Sequence, residues 1–377
     1  MRGIIPGVVL ACAALSARAA EKKEAGPPKI EPVSDAEKAK LLAAETPAQK
    51  KLRAEIAAFK DHRIVFNANA TGRNEVYLVR PDGSEMTQVT KEGGEYPHLS
   101  PDGKRIVFLR KEKVAAEEIK KLPFDESEGI IAPVKKSRRA HPKKESFIWI
   151  VNADGTGAER VAAGEAPHWS PSGKAIAYQT ATRPFYAPAI LDLEAKTERV
   201  LRLTGLKGKG QCMSAFSPDG KWLLTSNGPI YCWPLNETGT DVAEGGKILK
   251  PVRVGHVCNT EFGPQNKYLV WVIDTHKCAG SWLVYSKFDP SANGKVRSQK
   301  MKLGWPEKSV NYFPDLSPCG KYMAYVHAEM QDGVKSWLLT NKQEIYISRF
   351  PPDGVNVRVT WNGAGNQHPH WWGPAAK

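Results

Sequence analysis

The sequence lacks the short motifs that mark common enzyme classes. It has no Gly-x-Ser-x-Gly nucleophile elbow and no glycine-rich phosphate loop followed by Lys-Ser or Lys-Thr. Its six cysteines form no Cys-x-x-Cys pair, which argues against a zinc site built from thiolates. Once the N-terminus is set aside, no apolar run is long enough to span a bilayer. These absences direct attention to binding rather than catalysis.

The first twenty residues have the pattern of an export signal. Arg2 supplies the positive end, residues 4–15 form a short apolar stretch, and Ala17-Arg18-Ala19 offers a small-x-small cleavage site. We therefore expect residues 1–20 to be removed and the protein to be periplasmic or secreted. Cys12 leaves a lipoprotein anchor as the alternative.

One phrase recurs along the chain: a hydrophobic residue, then Ser-Pro-Asp-Gly-Lys or a variant, then an apolar strand. The six copies are residues 99–104, 169–174, 216–221, 262–267, 316–321 and 372–377. Pro presets φ and Asp-Gly favours a tight turn, so each copy predicts a hairpin. Repetition at these intervals predicts a β-propeller, with about 50 residues in each blade.

The sixth phrase ends the chain without a following strand, whereas Arg63-Ile64-Val65-Phe66 is a strand without a phrase. We expect this early strand to complete the last blade and close the ring, which removes exposed sheet edges. The predicted fold is all-β: a six-bladed β-propeller closed by an N-terminal strand. The expected domains are a signal peptide (1–20), a linker with two short capped helices (21–60) and the propeller (61–377).

The phrases Tyr96–Lys104 and Val151–Gly157 resemble the repeats of TolB-like six-bladed propellers, a WD40-like (PD40) repeat family. The similarity extends over residues 61–377 and is specific for the fold. It implies an exported, non-enzymatic scaffold that recognises a protein or peptide of the cell envelope at the mouth of the channel. Propellers of this kind carry several functions, so the resemblance does not identify the partner.

The net charge is +14, and much of the excess lies in an insertion at about 110–145. Residues 135–144 carry seven basic side chains, which predicts either a solvated loop or a contact with an anionic polymer or lipid headgroups. Nucleic acid is not expected as a partner of an exported protein. We expect the insertion to join the second and third strands of one blade at the mouth, and the protein to be a monomer.

Four cysteines repeat in register with the blades. Cys212 and Cys258 lie five residues before Ser217 and Gly263, the second residues of their turn phrases, and Cys232 and Cys278 lie fifteen residues after the same two positions. Two intrablade disulfides, Cys212–Cys232 and Cys258–Cys278, are therefore predicted, and metal binding by the four thiols is the alternative. Cys319 should remain an unpaired thiol.

Alternation of side chains along the innermost strands predicts which residues face the channel. If the hydrophobic residue at the end of the inner strand enters the core, the residue just before it faces the axis. These residues are His98, His168, Ala215, Glu261, Asp315 and His370. Such a set could line a hydrated channel, bind a ligand or hold a divalent metal.

A second resemblance concerns residues 366–371. Their His-Pro-His segment is similar to one that helps to hold manganese in oligogalacturonate lyases, which implies His368 and His370 as ligands and His256 or His327 as a third. Those enzymes have seven blades, and no catalytic base can be placed here. The leading hypothesis is thus a binding scaffold without a cofactor; a metal-dependent lyase or hydrolase acting on an acidic carbohydrate is the alternative.

Overall fold

The structure is a computed structural model. It describes residues 33–113, 144–180, 187–201, 212–226, 230–243, 247–251, 256–274, 281–289, 295–306, 309–329 and 343–374. The predicted signal peptide and most of the basic insertion lie outside these residues.

Within the described residues the chain forms two α-helices, α1 (Asp35–Ala43) and α2 (Pro47–Ala57), followed by strands alone and one short 3-10 turn. The strands are β1 (Arg63–Ala68), β2 (Glu75–Val79), β3 (Thr87–Gln88), β4 (Glu95–Leu99), β5 (Arg105–Lys113), β6 (Lys144–Asn152), β7 (Glu159–Trp169), β8 (Ala175–Thr180), β9 (Pro188–Asp192), β10 (Thr197–Val200), β11 (Cys212–Phe216), β12 (Trp222–Ser226), β13 (Ile230–Pro234), β14 (Lys247–Pro251), β15 (His256–Phe262), β16 (Tyr268–Asp274), β17 (Ser281–Lys287), β18 (Lys295–Val296), β19 (Gln299–Lys300), β20 (Ser309–Leu316), β21 (Tyr322–Glu329), β22 (Glu344–Arg349), β23 (Asn356–Arg358) and β24 (Gln367–Trp372).

The repeated phrase forms the expected hairpin turn. In the first copy the Ser100 hydroxyl donates to Asp102 Oδ1 at 2.6 Å and accepts the Arg105 N–H at 2.9 Å. Gly103 adopts φ +70°, a left-handed conformation that favours glycine. The copy at Ser217 repeats these bonds with Asp219 and Trp222. The turn therefore satisfies its own polar groups, which explains why the phrase recurs.

The strands form antiparallel sheets of four strands or more. Three have four strands, in the orders β24-β1-β2-β3, β15-β16-β17-β19 and β20-β21-β22-β23. A fourth has the order β11-β12-β13-β14-β18, in which the last pair is parallel. The remaining seven strands, β4 to β10, are hydrogen-bonded in one continuous sheet. These sheets form an all-β propeller.

The ring is closed by the strand that the sequence predicted. Arg63 lies opposite Trp372, Ile64 opposite Trp371 and Val65 opposite His370. One detail of the sixth phrase was wrong. In the first hairpin Leu99 lies opposite Ile106, the second residue of its strand. Ile64 is the second residue of β1 and lies opposite Trp371, so Trp371, and not Trp372, corresponds to Leu99. Trp372 therefore stands in the position of Ser100.

The core lies between neighbouring sheets. Val65 and Val76 pack against Ile106 and Phe108 in one buried cluster, and the same arrangement recurs from sheet to sheet. Burial of this apolar surface at about 25 cal/mol per Å² is the main force that holds the sheets face to face. The inner edge of each sheet is thereby fixed near the axis.

Both predicted helices are present. The Ser34 side chain caps α1, and Thr46 and Gln49 form a reciprocal capping box at α2. Helix α2 buries Leu52 and Ile56 completely in the core that contains β1, β21 and β22. None of the described helices has both the length and the apolar character needed to cross a membrane.

The two ends of the basic insertion lie on paired strands. Strands β5 and β6 pair continuously from Arg105 opposite Asn152 to Lys113 opposite Lys144. The position of the insertion between the second and third strands of one blade stays a prediction. Residues 114–143 fall outside the described residues.

The predicted Cys212–Cys232 disulfide is not supported. Cys212 lies opposite Ser226, and Cys232 opposite Leu224, so β12 runs between the two strands that carry them. Two strand spacings and a two-residue offset separate their Cα atoms by about 12 Å, whereas a disulfide requires less than about 7 Å. Cys278 lies outside the described residues, so its pairing with Cys258 stays a prediction. Cys319 has a free thiol, as expected.

Candidate functional site

Six strands meet around a small cavity of about 70 Å³, named here the channel cavity. It is lined by one to three consecutive residues from each of β4, β7, β11, β15, β20 and β24. The lining includes all five polar residues expected at the axis: His98, His168, Glu261, Asp315 and His370. Ala215 is buried beside the lining residue Ser214. The structure thus brings the predicted channel residues together, and their role in binding remains a prediction.

A β-bulge interrupts each of these six strands just before the channel residue. At five of the bulges the residue two positions before the channel residue has φ near +50°. These bulge residues are Tyr96, Ala166, Asn259, Phe313 and His368. A bulge lets two residues of one strand face the same side. The cavity therefore has a second tier of side chains that simple alternation did not predict. Prolines 97, 167, 314 and 369, each following a bulge residue, are the signal in the sequence.

Three imidazoles pack against one another, with tilted rings, at one side of the cavity. The His98 ring centroid lies 3.5 Å from that of His370 and 4.0 Å from that of His168. Burial, together with the neighbouring imidazoles, holds the pKa of His98 well below its usual range, and burial followed by His168 lowers the pKa of His370 to about 3. These two rings are therefore neutral at physiological pH.

Two channel side chains bond to the backbone of the next inner strand. The Leu99 N–H donates to His370 Nδ1 at 3.2 Å, and the Trp371 N–H donates to Asp315 Oδ2 at 2.6 Å. His168 Nδ1 differs, because it lies 2.9 Å from the Trp169 carbonyl oxygen and donates to it. His370 and Asp315 thus link consecutive sheets around the axis. Part of the polar ring is structural, which the sequence did not reveal because the partners lie 271 and 56 residues apart.

Two carboxyl groups face the cavity opposite the imidazoles. Glu261 Oε2 lies 3.4 Å from His168 Nε2, and its side chain is 31% exposed. Burial and the Glu261 charge raise the pKa of Asp315 well above its ordinary value. The pair therefore favours a shared proton or a bound cation.

His368, a predicted metal ligand, lies in the second tier. Its ring contacts those of Tyr96 and Phe313, with centroids 3.7 Å and 3.9 Å away. Its Nδ1 lies 2.8 Å from Asn67 Oδ1, and burial followed by the charge of Lys111 lowers its pKa to about 3.

Of the two candidates for a third metal ligand, His327 does not line the cavity. His327 is buried elsewhere, stacked on Trp305 at 3.7 Å, and the side chain of His256 is outside the described residues. In the part of the chain that the structure describes, no group of three or more His, Cys, Asp or Glu residues is arranged to hold a metal ion.

Comparison with known proteins extends these findings. No family model matches the chain. An uncharacterized protein of Agrobacterium fabrum is 27% identical over 117 residues, which are 30% of this chain and 35% of that protein. The match thus spans about a third of the relative's length.

The fold and the axial cavity define a β-propeller, and solved structures give its type. TolB from Acinetobacter baumannii superposes with a TM-score of 0.56 at 15% identity, covering 90% of this chain and 73% of that one. A putative TolB from Agrobacterium tumefaciens has a TM-score of 0.50 at 14% identity, covering 79% and 88%. A chain of a nidogen/laminin complex reaches 0.52 at 11% identity, covering 84% and 100%. At these identities the likeness shows the fold alone, which is TolB-like.

Proposed function

We propose that this protein is an exported, non-enzymatic binding scaffold that recognises a protein or peptide of the cell envelope at the mouth of its channel. The observation that carries the proposal is the size and content of the channel cavity. About 70 Å³ matches a single side chain or chain terminus, and the lining offers imidazole and carboxyl groups to it. A rigid closed ring offers its loops to a partner at a small ordering cost.

The proposal includes six blades. The seven-stranded sheet divides naturally at β7, whose first half pairs with β6 and whose second half pairs with β8. Residues up to Ala163 would then form the outer strand of one blade, and residues from Gly164 the inner strand of the next. The bulge on each of six inner strands supports this count.

The mouth lies on the side of the extended β5–β6 hairpin. Lys111 on this hairpin is exposed, pairs with Glu95 at 2.7 Å, and is close enough for its charge to act on His368. Its side chain therefore marks the rim of the cavity. Asp353, at the turn between β22 and β23, is also exposed and lies among the turns of the opposite face.

Site-specific photo-crosslinking tests the proposal. A photoreactive amino acid is placed at Lys111 or, as the matched control, at Asp353, and the full chain is irradiated in its native envelope. We expect one defined protein adduct from position 111 and none of the same mass from position 353. Identical adducts from both positions, or none from position 111, would refute recognition at the mouth.

The metal-dependent lyase remains the alternative function, because three imidazoles and two carboxyl groups face one cavity. Elemental analysis of the purified protein and of a His370→Ala variant separates the two functions. A stoichiometric metal that the variant loses would favour the enzyme. Export is tested by N-terminal sequencing of the mature protein, which should begin near Ala20 or Glu21.

A further inference from the structure

Three buried polar atoms at the channel cavity have no hydrogen-bond partner among the described residues. These atoms are His98 Nδ1, Thr260 Oγ1 and His368 Nε2. All three residues line the cavity, and Thr260 is only 2% exposed. Buried polar atoms without partners are rare and costly, so their grouping around one cavity favours the binding of a polar group there.

The chemistry of His368 is fixed by its neighbour. Asn67 Oδ1 accepts the Tyr96 N–H at 3.4 Å, which orients the amide, and the same oxygen lies 2.8 Å from His368 Nδ1. Because an amide oxygen only accepts, Nδ1 carries the hydrogen. The neutral ring then presents the lone pair of Nε2, and the missing partner of this atom must be a donor.

The charge of the cavity agrees with a cationic donor. Glu261 and Asp315 line it, and no lysine or arginine is among the described lining residues. The nearby Lys111 is already paired with Glu95. A cation here would meet the carboxyl oxygens of Glu261 and Asp315 and the Nε2 atom of His368.

We propose that the channel cavity binds the protonated primary amine of the partner, either a lysine side chain or an N-terminal ammonium. The inference rests on the proposed function and names the group of the partner that enters. An ammonium has three donors and no acceptor, which matches the lone pair of His368 Nε2, the hydroxyl oxygen of Thr260 and the carboxyl group of Glu261, on two different strands. A cavity of about 70 Å³ accommodates it with its first methylene groups.

A metal ion fits these residues less well. The Leu99 N–H occupies His370 Nδ1, so the neutral ring carries its hydrogen on the other nitrogen and offers no free lone pair. An ammonium needs no convergent set of lone pairs at bonding distance, whereas a metal does.

Titration with small probes tests the inference on the full chain. The probes are n-butylammonium, its neutral analogue N-butylacetamide and Zn²⁺, followed by histidine Cε1–H resonances in NMR. We expect saturable one-to-one binding of n-butylammonium and none of the neutral analogue. Equal binding of both, or stoichiometric Zn²⁺ binding that displaces the amine, would overturn the inference.

Variants locate the binding site. Glu261→Gln should weaken amine binding at least tenfold, and Thr260→Val should weaken it several-fold. Glu85→Gln, which changes an exposed carboxylate paired with Arg80, is the matched control and should leave it unchanged. Unchanged affinity in both cavity variants would refute the site. Thr260→Val keeps the test valid if Glu261→Gln does not fold, since it is nearly isosteric.

Two peptides distinguish the sources of the amine. An acetylated, amidated Gly-Lys-Gly carries only the side-chain amine, and Gly-Gly-Gly-amide carries only the terminal one. Tighter binding of one peptide identifies the source, and binding of neither refutes a peptide amine as the ligand. These assays need no partner. If photo-crosslinking at position 111 finds no partner but the amine binds, only the proposed function is refuted. If a partner is crosslinked but the amine does not bind, only this inference is refuted.

Discussion

Substitution of Gly103 by alanine tests the closure of the ring. Gly103 has φ +70°, and a Cβ atom there would lie 2.4 Å from Cζ2 of Trp372, on the last strand. The indole cannot retreat freely, because its Nε1 donates to the Pro101 carbonyl at 3.0 Å. The left-handed backbone costs alanine about 1 kcal/mol, and overpacking adds about 1–3 kcal/mol. We expect Gly103→Ala to lower the free energy of unfolding by about 2–4 kcal/mol.

Gly220 provides a matched control. It occupies the same turn position with φ +71°, but a Cβ atom there would meet only Pro171 Cγ, at 4.0 Å. Gly220→Ala should therefore cost only the backbone contribution, about 1 kcal/mol. Urea denaturation of both variants measures the difference, provided that two spectroscopic probes give coincident transitions.

A double-mutant cycle with Trp372→Val completes the test. Once the indole is removed, Gly103→Ala should cost no more than Gly220→Ala. Equal costs for the two glycine variants in the native background would refute the contact between the first turn and the last strand. So would an unchanged cost of Gly103→Ala in the Trp372→Val background.

Three further predictions concern stability and cysteine chemistry. Leu52→Ala opens a cavity beneath α2 and should lower the free energy of unfolding, measured by urea denaturation, by about 2–5 kcal/mol. Glu55→Gln breaks a partly exposed ion pair with Arg349 and should lower it by under about 1 kcal/mol. The reverse order would mean that the ion pair, and not apolar burial, holds the helix in place. Burial lowers the pKa of His327 to about 4, so stability should fall as pH drops from 6.5 towards 4, by up to about 3 kcal/mol, and His327→Gln should flatten this slope. Mass mapping without reductant should find no linked Cys212–Cys232 peptide; a linked pair would contradict the strand register.

Local signals in the sequence were enough to predict the strands and their closure. The turn at Ser100 contains its own hydrogen bonds, and the capping residues Ser34 and Thr46 act within one helical turn. Alternation also assigned His98 and Asp315 to the axis. Each of these features depends on residues that are close in the chain, and such features can be read without the fold.

The features that were missed depend on the relation between strands. The left-handed bulge residue Tyr96 is not a glycine, so its conformation is imposed by tertiary packing. The repeated spacing of Cys212 and Cys232 gave the correct period but not the lateral distance across β12. The bond from the Trp371 N–H to Asp315 joins two strands that the sequence does not relate.

The pH dependence of stability should distinguish the buried Asp315 from a surface carboxylate. Burial and the Glu261 charge raise the pKa of Asp315, so its contribution to stability is fully present below the unfolded pKa near 4 and is lost as pH rises through the folded value. Asn cannot ionise and can still accept the Trp371 N–H, so Asp315→Asn should gain stability relative to the native chain as pH rises from 4 to 8.

Asp353 is the matched control with the opposite sign. Burial opposes its ionisation, but the Val355 N–H and Arg349 outweigh this and hold its pKa below the usual value. Its contribution is therefore present above the unfolded pKa and lost as pH falls, and Asp353→Asn should lose stability relative to the native chain as pH rises from 2 to 5. Thermal denaturation of both variants across this pH range measures the two slopes. Slopes of the same sign would mean that Asp315 is solvated like a surface carboxylate, which would contradict its burial beside Glu261 in the channel cavity.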